Sequence, residues 1–322
     1  MAVTRNDVAR LAGVSPGLVS YVLNDGPRPV SAEARTRIEA AIEELGYRRD
    51  GIARYLKTGK TNSLGLVLPD IGLPYYSEIT KELNARTFEL GFQLLIATSE
   101  LDSAREDAQL ASLAERRVDG IILMSVDPER DLSSLERLGT RVVVIDRPEF
   151  AIDSARSATE HLISHGHRDI GFIGSIRLRA SQRRLRGWSL ALEDAGIQPN
   201  AAWIASAPIT RKGGHEAAHR LLTSSRRPSA LLIGSDAQAA GALRAFKDLG
   251  LGVPDDVAVV TSEGTDLARY TIPSLTSIVQ PIAAIAKDAV DSVLLADAAA
   301  VARINNFSYD LALRESCGHE AH

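Results

Sequence analysis

The chain has 322 residues, of which 45% are hydrophobic and 24% charged, with a formal net charge of −4. That length exceeds one average domain, the balance suits a protein able to bury a substantial core, and no apolar run reaches the roughly 18 residues a membrane helix needs. A single cysteine, Cys317, excludes an internal disulfide framework and points to a reducing cytoplasm, and the polar, periodic stretch from Met1 to Ala12 is not expected to act as a signal peptide. Charge is unevenly spread. Through Lys60 there are ten Lys/Arg against seven Asp/Glu, while the rest of the chain carries a net −7. A mildly basic head on an acidic body is the pattern expected when only the head meets phosphate.

Three helices are expected in the head. Thr4 can cap the first, with Asp7 in its opening turn, Val8 and Leu11 on one face and Gly13 at its end. Ser15 can cap the second, with Pro16 at the first helical position, where a missing N–H costs little. Val19, Val22 and Leu23 form its buried stripe, and Gly17, Ser20, Tyr21 and Asn24 the opposite face. Asp25 to Pro29 is a turn that no helix crosses. Ser31 caps a third helix with Ile38, Ala41, Ile42 and Leu45 inward, ended by Gly46. Two short helices joined by a Gly-containing turn and buttressed by a third form the minimal helix-turn-helix unit, whose second helix fits a major groove with its first residues at base edges.

The segments Asn6–Ser15, Val19-Ser20, Val22–Asn24, Val30-Ser31 and Ala41–Tyr47 closely resemble the head of the lactose-repressor (LacI) family. The likeness continues through Gly51–Gly59. In that family this stretch is a hinge helix that folds on operator DNA, and Leu56 matches the leucine that wedges between central base pairs. A short segment opening at Gly51 cannot hold a helix alone, and an exposed leucine suits an unstacking wedge. The resemblance implies DNA contacts from Thr4, Ser15, Pro16, Gly17, Ser20, Tyr21, Asn24, Arg54 and Leu56. The head also departs from the family. Tyr21 stands where many members have arginine, Gly17 offers only backbone, the 25–30 turn is one residue longer, and Arg49-Asp50 replaces Pro-Asn. Tyr21 is suited either to a thymine methyl or to a phosphate.

After a polar linker, 58–63, short apolar runs alternate with amphipathic helices. Strands are expected at Leu64–Leu68, Gln93–Ala97, Gly120–Met124, Val142–Asp146, Ile170–Ile173, Ala230–Ile233 and Val257–Val260. Helices are expected around Ser77–Leu90, Arg105–Arg117, Ala155–His165, Arg183–Ala195, Gly214–Leu222 and Gln238–Leu249, with Gly91, Gly166, Gly196 and Gly250 just past helix ends. Continuous apolar strands joined by crossover helices imply parallel sheets covered on both faces, and seven strands favour two lobes over one sheet. Ligands of open α/β sheets bind at the carboxyl ends of the strands, here a cleft between lobes. Val118–Ile122, Thr159–Leu162, Gly166–Arg168, Gly241–Ala245, Val253–Val257 and Gln280-Pro281 resemble the body of the same family, shared with periplasmic sugar-binding proteins. The likeness runs from Thr4 to Glu315 and implies three crossings between lobes.

The same resemblance implies an effector site. Pro74-Tyr75-Tyr76 matches a cleft loop, with Tyr75 against the effector and Tyr76 packed inward. Arg184-Leu185-Arg186-Gly187-Trp188 matches the family's Arg-x-x-Gly-aromatic, and a guanidinium fork can grip paired hydroxyls or a carboxylate. Ser235-Asp236 and Glu263 complete the set, Glu263 standing where an aspartate is usual. Phe150-Ala151 replaces an Asp-Asn pair if no gap intervenes, which removes a polar contact.

The organisation expected is a helix-turn-helix headpiece over 1–47, a hinge and linker over 48–63, and a two-lobe α/β effector-binding and dimerisation body of periplasmic-binding-protein type over 64–322. The partners are double-stranded operator DNA, a small sugar-like effector and a second copy of the chain, as a homodimer or tetramer, with no membrane and no cofactor. Catalytic motifs are absent: no Walker loop, nucleophile elbow or dinucleotide fingerprint opens a strand-to-helix turn. No metal site is expected from His161, His165 and His167 or from His215 and His219, which have no further ligands at compatible spacing.

Overall fold

The computed structural model describes residues 3–24, 29–47, 59–127, 129–146, 148–295, 301–304 and 307–318. The chain divides into two compact units between Thr61 and Asn62.

In the first unit, α1 (Arg5–Ala12), α2 (Pro16–Asn24) and α3 (Ala32–Leu45) form the expected three helices. Their ends follow local chemistry. The Thr4 hydroxyl accepts from the Asp7 amide while the Asp7 carboxylate accepts from the Thr4 amide at 3.0 Å, closing a reciprocal capping box. Ser15 Oγ accepts from Leu18 N at 3.3 Å, and Ser31 Oγ from Ala34 N at 3.3 Å. Gly13 and Gly46 end α1 and α3 in the left-handed region, φ 65° and 60°, where a side chain would be strained. Val8, Ala9, Ala12, Val19, Val22, Ile38 and Ala41 make the core. Leu11 does not join Val8 there; it is 45% exposed. The buried stripe of α1 runs instead through Val8, Ala9 and Ala12, whose short alanines let the helix lie close against α3.

The second unit holds two sheets. The first, in the order β10-β4-β3-β1-β2, contains β1 (Ser63–Leu68), β2 (Gln93–Thr98), β3 (Gly120–Leu123), β4 (Val142–Ile145) and β10 (Val301–Ile304), all parallel. The second, ordered β11-β9-β8-β7-β5-β6, contains β5 (Ile170–Gly174), β6 (Ile204–Ser206), β7 (Ala230–Ile233), β8 (Ala258–Thr261), β9 (Thr276–Val279) and β11 (Asp310–Ala312), with only β11 antiparallel. Helices α4 (Pro74–Glu89), α5 (Ser103–Glu115) and the short α6 (Ser133–Arg137) belong to the first lobe. Helices α7 (Pro148–Ser164), α8 (Arg179–Asp194), α9 (Arg211–Leu222), α10 (Asp236–Asp248) and the short α11 (Asp266–Arg269) belong to the second. Helix α12 (Ile282–Leu295) returns to pack Ile285, Ala289 and Val293 into the first lobe's core with Leu64, Ile79 and Ile122. The chain thus leaves the first lobe after β4, re-enters it with α12 and leaves again after β10.

Four strands and three helices escape the sequence expectation, each for a physical reason. The edge strands β6 and β11 have three residues each, too short for a period-2 pattern. Strand β9 buries hydroxyls instead of hydrocarbon: Thr276 and Ser277 are fully buried, and Thr261 Oγ1 donates to Ser277 Oγ at 2.7 Å. Strand β10 carries Arg303. The helices α6 and α11 are about one turn each, and the apolar run of α12 has few polar positions to mark a face.

Candidate functional site

On the first unit, the start of α2 is open to solvent: Ser15, Pro16 and Gly17 are exposed, and Ser20 and Tyr21 half-buried. A Cβ added at Gly17 would meet nothing closer than Ser15 Oγ at 3.8 Å, so no internal packing requires glycine there. Thr4 is exposed, with its hydroxyl held by Asp7 at 2.6 Å. That contact, together with the Thr4 backbone bond and the Arg10 charge, holds the Asp7 carboxyl below its ordinary value. The Asn24 side chain, Arg54 and Leu56 lie outside the described residues.

Between the lobes of the second unit lies a cavity of about 120 Å³. Its walls come from the ends of strands and the first turns of the helices that follow them, as the topology of parallel sheets requires. After β1 come Pro69 and, in the first turn of α4, Tyr75 and Tyr76; after β3 come Met124 to Val126. After β4 come Asp146 and, in the first turn of α7, Phe150 and Ala151; after β5 come Leu178 to Ser181, Arg183 and Arg184 of α8. Glu263 follows β8 and Gln280 follows β9.

Charge across the cavity is arranged in pairs with one member left over. Arg183 Nη1 donates to Asp146 Oδ1 at 2.6 Å, joining α8 to the end of β4. Glu129 reaches Arg179 at 3.3 Å and Arg183 at 3.7 Å. The lip around Ser125 is anchored from below by Glu106, whose side chain is fully buried. It accepts from Ser125 Oγ at 2.5 Å, from Val126 N at 3.0 Å and from Arg130. Arg184 has no hydrogen-bond or ion-pair partner among the described residues, and its Nε is buried and unpartnered. Glu263 is 7% exposed and accepts from Asp236 N at 3.1 Å. Burial, and then the negative charge of Asp236, push its acid up to about 8 against the opposing pull of Arg184. A buried acid so shifted is largely neutral at pH 7 and can both donate and accept. Burial likewise pushes the Tyr76 phenol up, with Glu263 and Tyr75 adding to the shift.

Of the five effector residues expected from the sequence, Tyr75, Arg184 and Glu263 line the cavity together. Ser235 and Asp236 do not line it. Ser235 is 1% exposed and its hydroxyl caps α10 by accepting from Gln238 N at 3.1 Å. Asp236 is fully buried and accepts from Thr265 N at 2.6 Å and Thr265 Oγ1 at 2.7 Å, so it positions the Glu263 loop from behind. Tyr76, expected to pack inward, lines the cavity beside Tyr75, ring centroids 5.5 Å apart at 70°. Both rings sit in a helix, not a loop, because Pro74 opens α4 three residues earlier than the apolar periodicity indicates. Ser125, Asp146 and Gln280 were missed; the signal available was their place just beyond strand ends. Among the described residues no group of three or more His, Cys, Asp or Glu could hold a metal ion, and no helix is long and apolar enough to cross a membrane.

Comparison with known proteins agrees with this geometry. Residues 4–50 match the family described as bacterial regulatory proteins, lacI family, and residues 159–317 match the periplasmic binding protein-like domain. The HTH-type transcriptional repressor PurR of Edwardsiella ictaluri is 36% identical over 292 residues, spanning 86% of this chain and 85% of that protein. Its namesake from Serratia proteamaculans matches to the same extent. Among solved structures, the lac repressor dimer bound to operator and the anti-inducer ONPF matches with a TM-score of 0.85 at 26% identity, covering 98% of this chain and 99% of that one. The complex of the transcriptional regulator CelR with cellobiose matches with a TM-score of 0.69 at 28% identity, covering 98% and 99%. A helix-turn-helix unit, a two-lobe parallel α/β body with a lined cleft and relatives of this extent lead to one conclusion: the chain belongs to the lacI family of bacterial regulatory proteins and is an effector-controlled, DNA-binding transcription repressor.

Proposed function

We propose that the chain represses transcription without catalysis, as a homodimer on a pseudo-palindromic operator, with residues 1–47 as DNA-binding headpiece, 48–63 as hinge and 64–322 as effector-binding and dimerisation body. The observation that carries this reading is the open start of α2. Ser15, Pro16 and Gly17 face solvent at the positive end of a helix, where phosphates and base edges are met. Gly17 has no packing reason to be glycine and instead lets a DNA backbone come close. Thr4, Ser20, Tyr21, Asn24 and Arg54 complete the interface, and Leu56 unstacks the central base pairs. One small head offers too little contact for specific binding, and two-fold symmetry matches a palindrome. Adjacent exposed side chains, Tyr270 at 78% and Ile272 at 94%, support a self-complementary face on the body.

Tyr75, Arg184 and Glu263 contact the effector, and Ser235 and Asp236 hold Glu263 in place from the next layer. Ligand binding favours one arrangement of the two lobes over another, and that preference sets operator affinity. Small molecules occupy solved relatives: CelR is in complex with cellobiose, and the lac repressor with the anti-inducer ONPF.

Selection of sites from a random duplex pool with the full-length protein tests the reading. A two-fold symmetric motif is expected; recovery of no motif, with and without added metabolites, would remove the operator-binding role. On the selected site, Leu56→Ala is expected to weaken binding and reduce bending by gel phasing, and unchanged bending would remove Leu56 as the wedge.

A further inference from the structure

We propose that the effector is a small monocarboxylate with a flat, apolar body: its carboxylate is held by Arg184 and its body lies against the wall formed by Tyr75, Tyr76 and Phe150. This names the ligand class of the cleft and rests on the effector-binding reading above.

On the polar side of the cavity one guanidinium lacks a carboxylate partner among the described residues. Arg183 is matched by Asp146 at 2.6 Å, and Arg179 by Glu129 at 3.3 Å. Arg184 alone among the lining guanidinium groups has no partner among the described residues, and its Nε is cut off from water. Buried donors of this kind are normally satisfied, and a carboxylate is the acceptor that fits a guanidinium fork. Glu263 does not fill that role, since its acid is pushed up to about 8 and stays largely protonated at neutral pH. A protonated Glu263 can instead donate to a ligand oxygen.

Two further features favour an anion. Helices α4 and α8 bring their first turns to the cavity with no side-chain cap, the cap positions being Leu73 and Leu178. Elsewhere in the body Asp102, Thr210 and Ser235 cap α5, α9 and α10, whereas the short α6 and α11 lack a side-chain cap as α4 and α8 do. Uncapped first-turn amides and the helix dipole attract negative charge. Ser181, 4% exposed in the first turn of α8, lines the cavity and has an unpartnered Oγ. One unmatched guanidinium beside a neutral acid suits a single charge rather than a dianion.

The apolar lining decides the body of the ligand. Phe150 and Ala151, 7% and 5% exposed, join Met124, Ile145 and the two tyrosines there. A polyol hydroxyl turned toward Phe150, Ala151, Met124 or Ile145 would lose its water and find no hydrogen-bond partner among those side chains. The cavity volume of about 120 Å³ is below the roughly 150 Å³ of a cavity known to hold benzene, which limits the body of the ligand to no more than one ring.

Calorimetric titration of the full-length protein with benzoate, 4-hydroxybenzoate and phenylacetate, and with benzamide and glucose as uncharged probes, tests the proposal. At least one carboxylate is expected to bind about tenfold or more tighter than benzamide, the worth of a charge-assisted contact. Arg184→Gln is expected to erase that difference. Should the variant fail to fold, the comparison of charged and uncharged probes on the unaltered protein decides alone. Benzamide binding as tightly as every carboxylate, glucose binding tighter than all of them, or no carboxylate binding up to about 10 mM would overturn it. The same preparation is taken through operator selection: a symmetric motif without carboxylate preference removes the ligand class and leaves the regulator, and carboxylate preference without a motif does the reverse.

Discussion

The head and the body place their proposed recognition groups in opposite ways. In the head, Ser15, Pro16 and Gly17 stand in solvent on a three-helix core of seven small aliphatic side chains. In the body, Tyr75, Arg184 and Glu263 are half or fully buried where two sheets meet, among residues that follow strand ends of both sheets. An outward site is cheap to build and is read by the shape and charge of its partner. An inward site desolvates its own groups, which is why a neutral Glu263 and an unmatched Arg184 arise there and not in the head. The stability of the two units is expected to differ accordingly, because a head of this size buries little surface.

The comparison can be broken most directly at the head's core. Ile38, fully buried, contributes its largest aliphatic side chain, and Ile38→Ala is expected to cost about 2–5 kcal/mol. Operator binding in a gel shift should be lost while the body's calorimetric transition stays in place. A body transition that falls with it would show that the two units do not unfold independently. Next in size is Glu106→Ala, which leaves Arg130, 11% exposed, without its buried partner and releases the Ser125–Val126 lip. Arg130 keeps its ion pair with the exposed Asp107, so the loss is expected to fall short of the about 3–5 kcal/mol of a buried charge left wholly unpaired. The body should melt earlier and bind ligand more weakly, with operator binding retained below the transition; unchanged melting would show that the lip does not depend on Glu106.

A third test uses pH. Glu263 sits among Asp236, Arg184 and Glu78, and its acid is raised from 4.5 to about 8 in the folded chain. The folded protein therefore keeps a proton that the unfolded chain has released, so body stability falls as pH rises from about 4.5 to about 8 and levels off beyond. Glu263→Gln should flatten that slope in thermal melts; an identical slope would assign the pH dependence to other groups. The smallest effect sharpens the contrast. Gly17→Ala should stabilise the head by about 0.5–1 kcal/mol because its Cβ meets only an ordinary contact, Ser15 Oγ at 3.8 Å, yet weaken operator binding. Tighter operator binding by the alanine variant would end the close-approach explanation for that glycine.

Sequence alone determined what is settled within a turn or a pleat. The Thr4, Ser15 and Ser31 caps, the glycines at 13 and 46 and the seven longer apolar strands are visible because their causes lie within a few residues. The resemblance of ordered segments carried Tyr75, Arg184 and Glu263 to the same place. Tertiary structure decided the rest. Ser235 and Asp236 became the layer behind the cavity because Ser235 Oγ caps Gln238 N and Asp236 Oδ2 holds the Thr265 amide and hydroxyl. Asp146 meets Arg183 across 37 residues, and Ser125 meets Glu106 across 19, because strands distant in sequence end side by side at one edge of the sheets. Which charge is matched and which is left facing the cavity follows from that neighbourhood, and no local pattern encodes it.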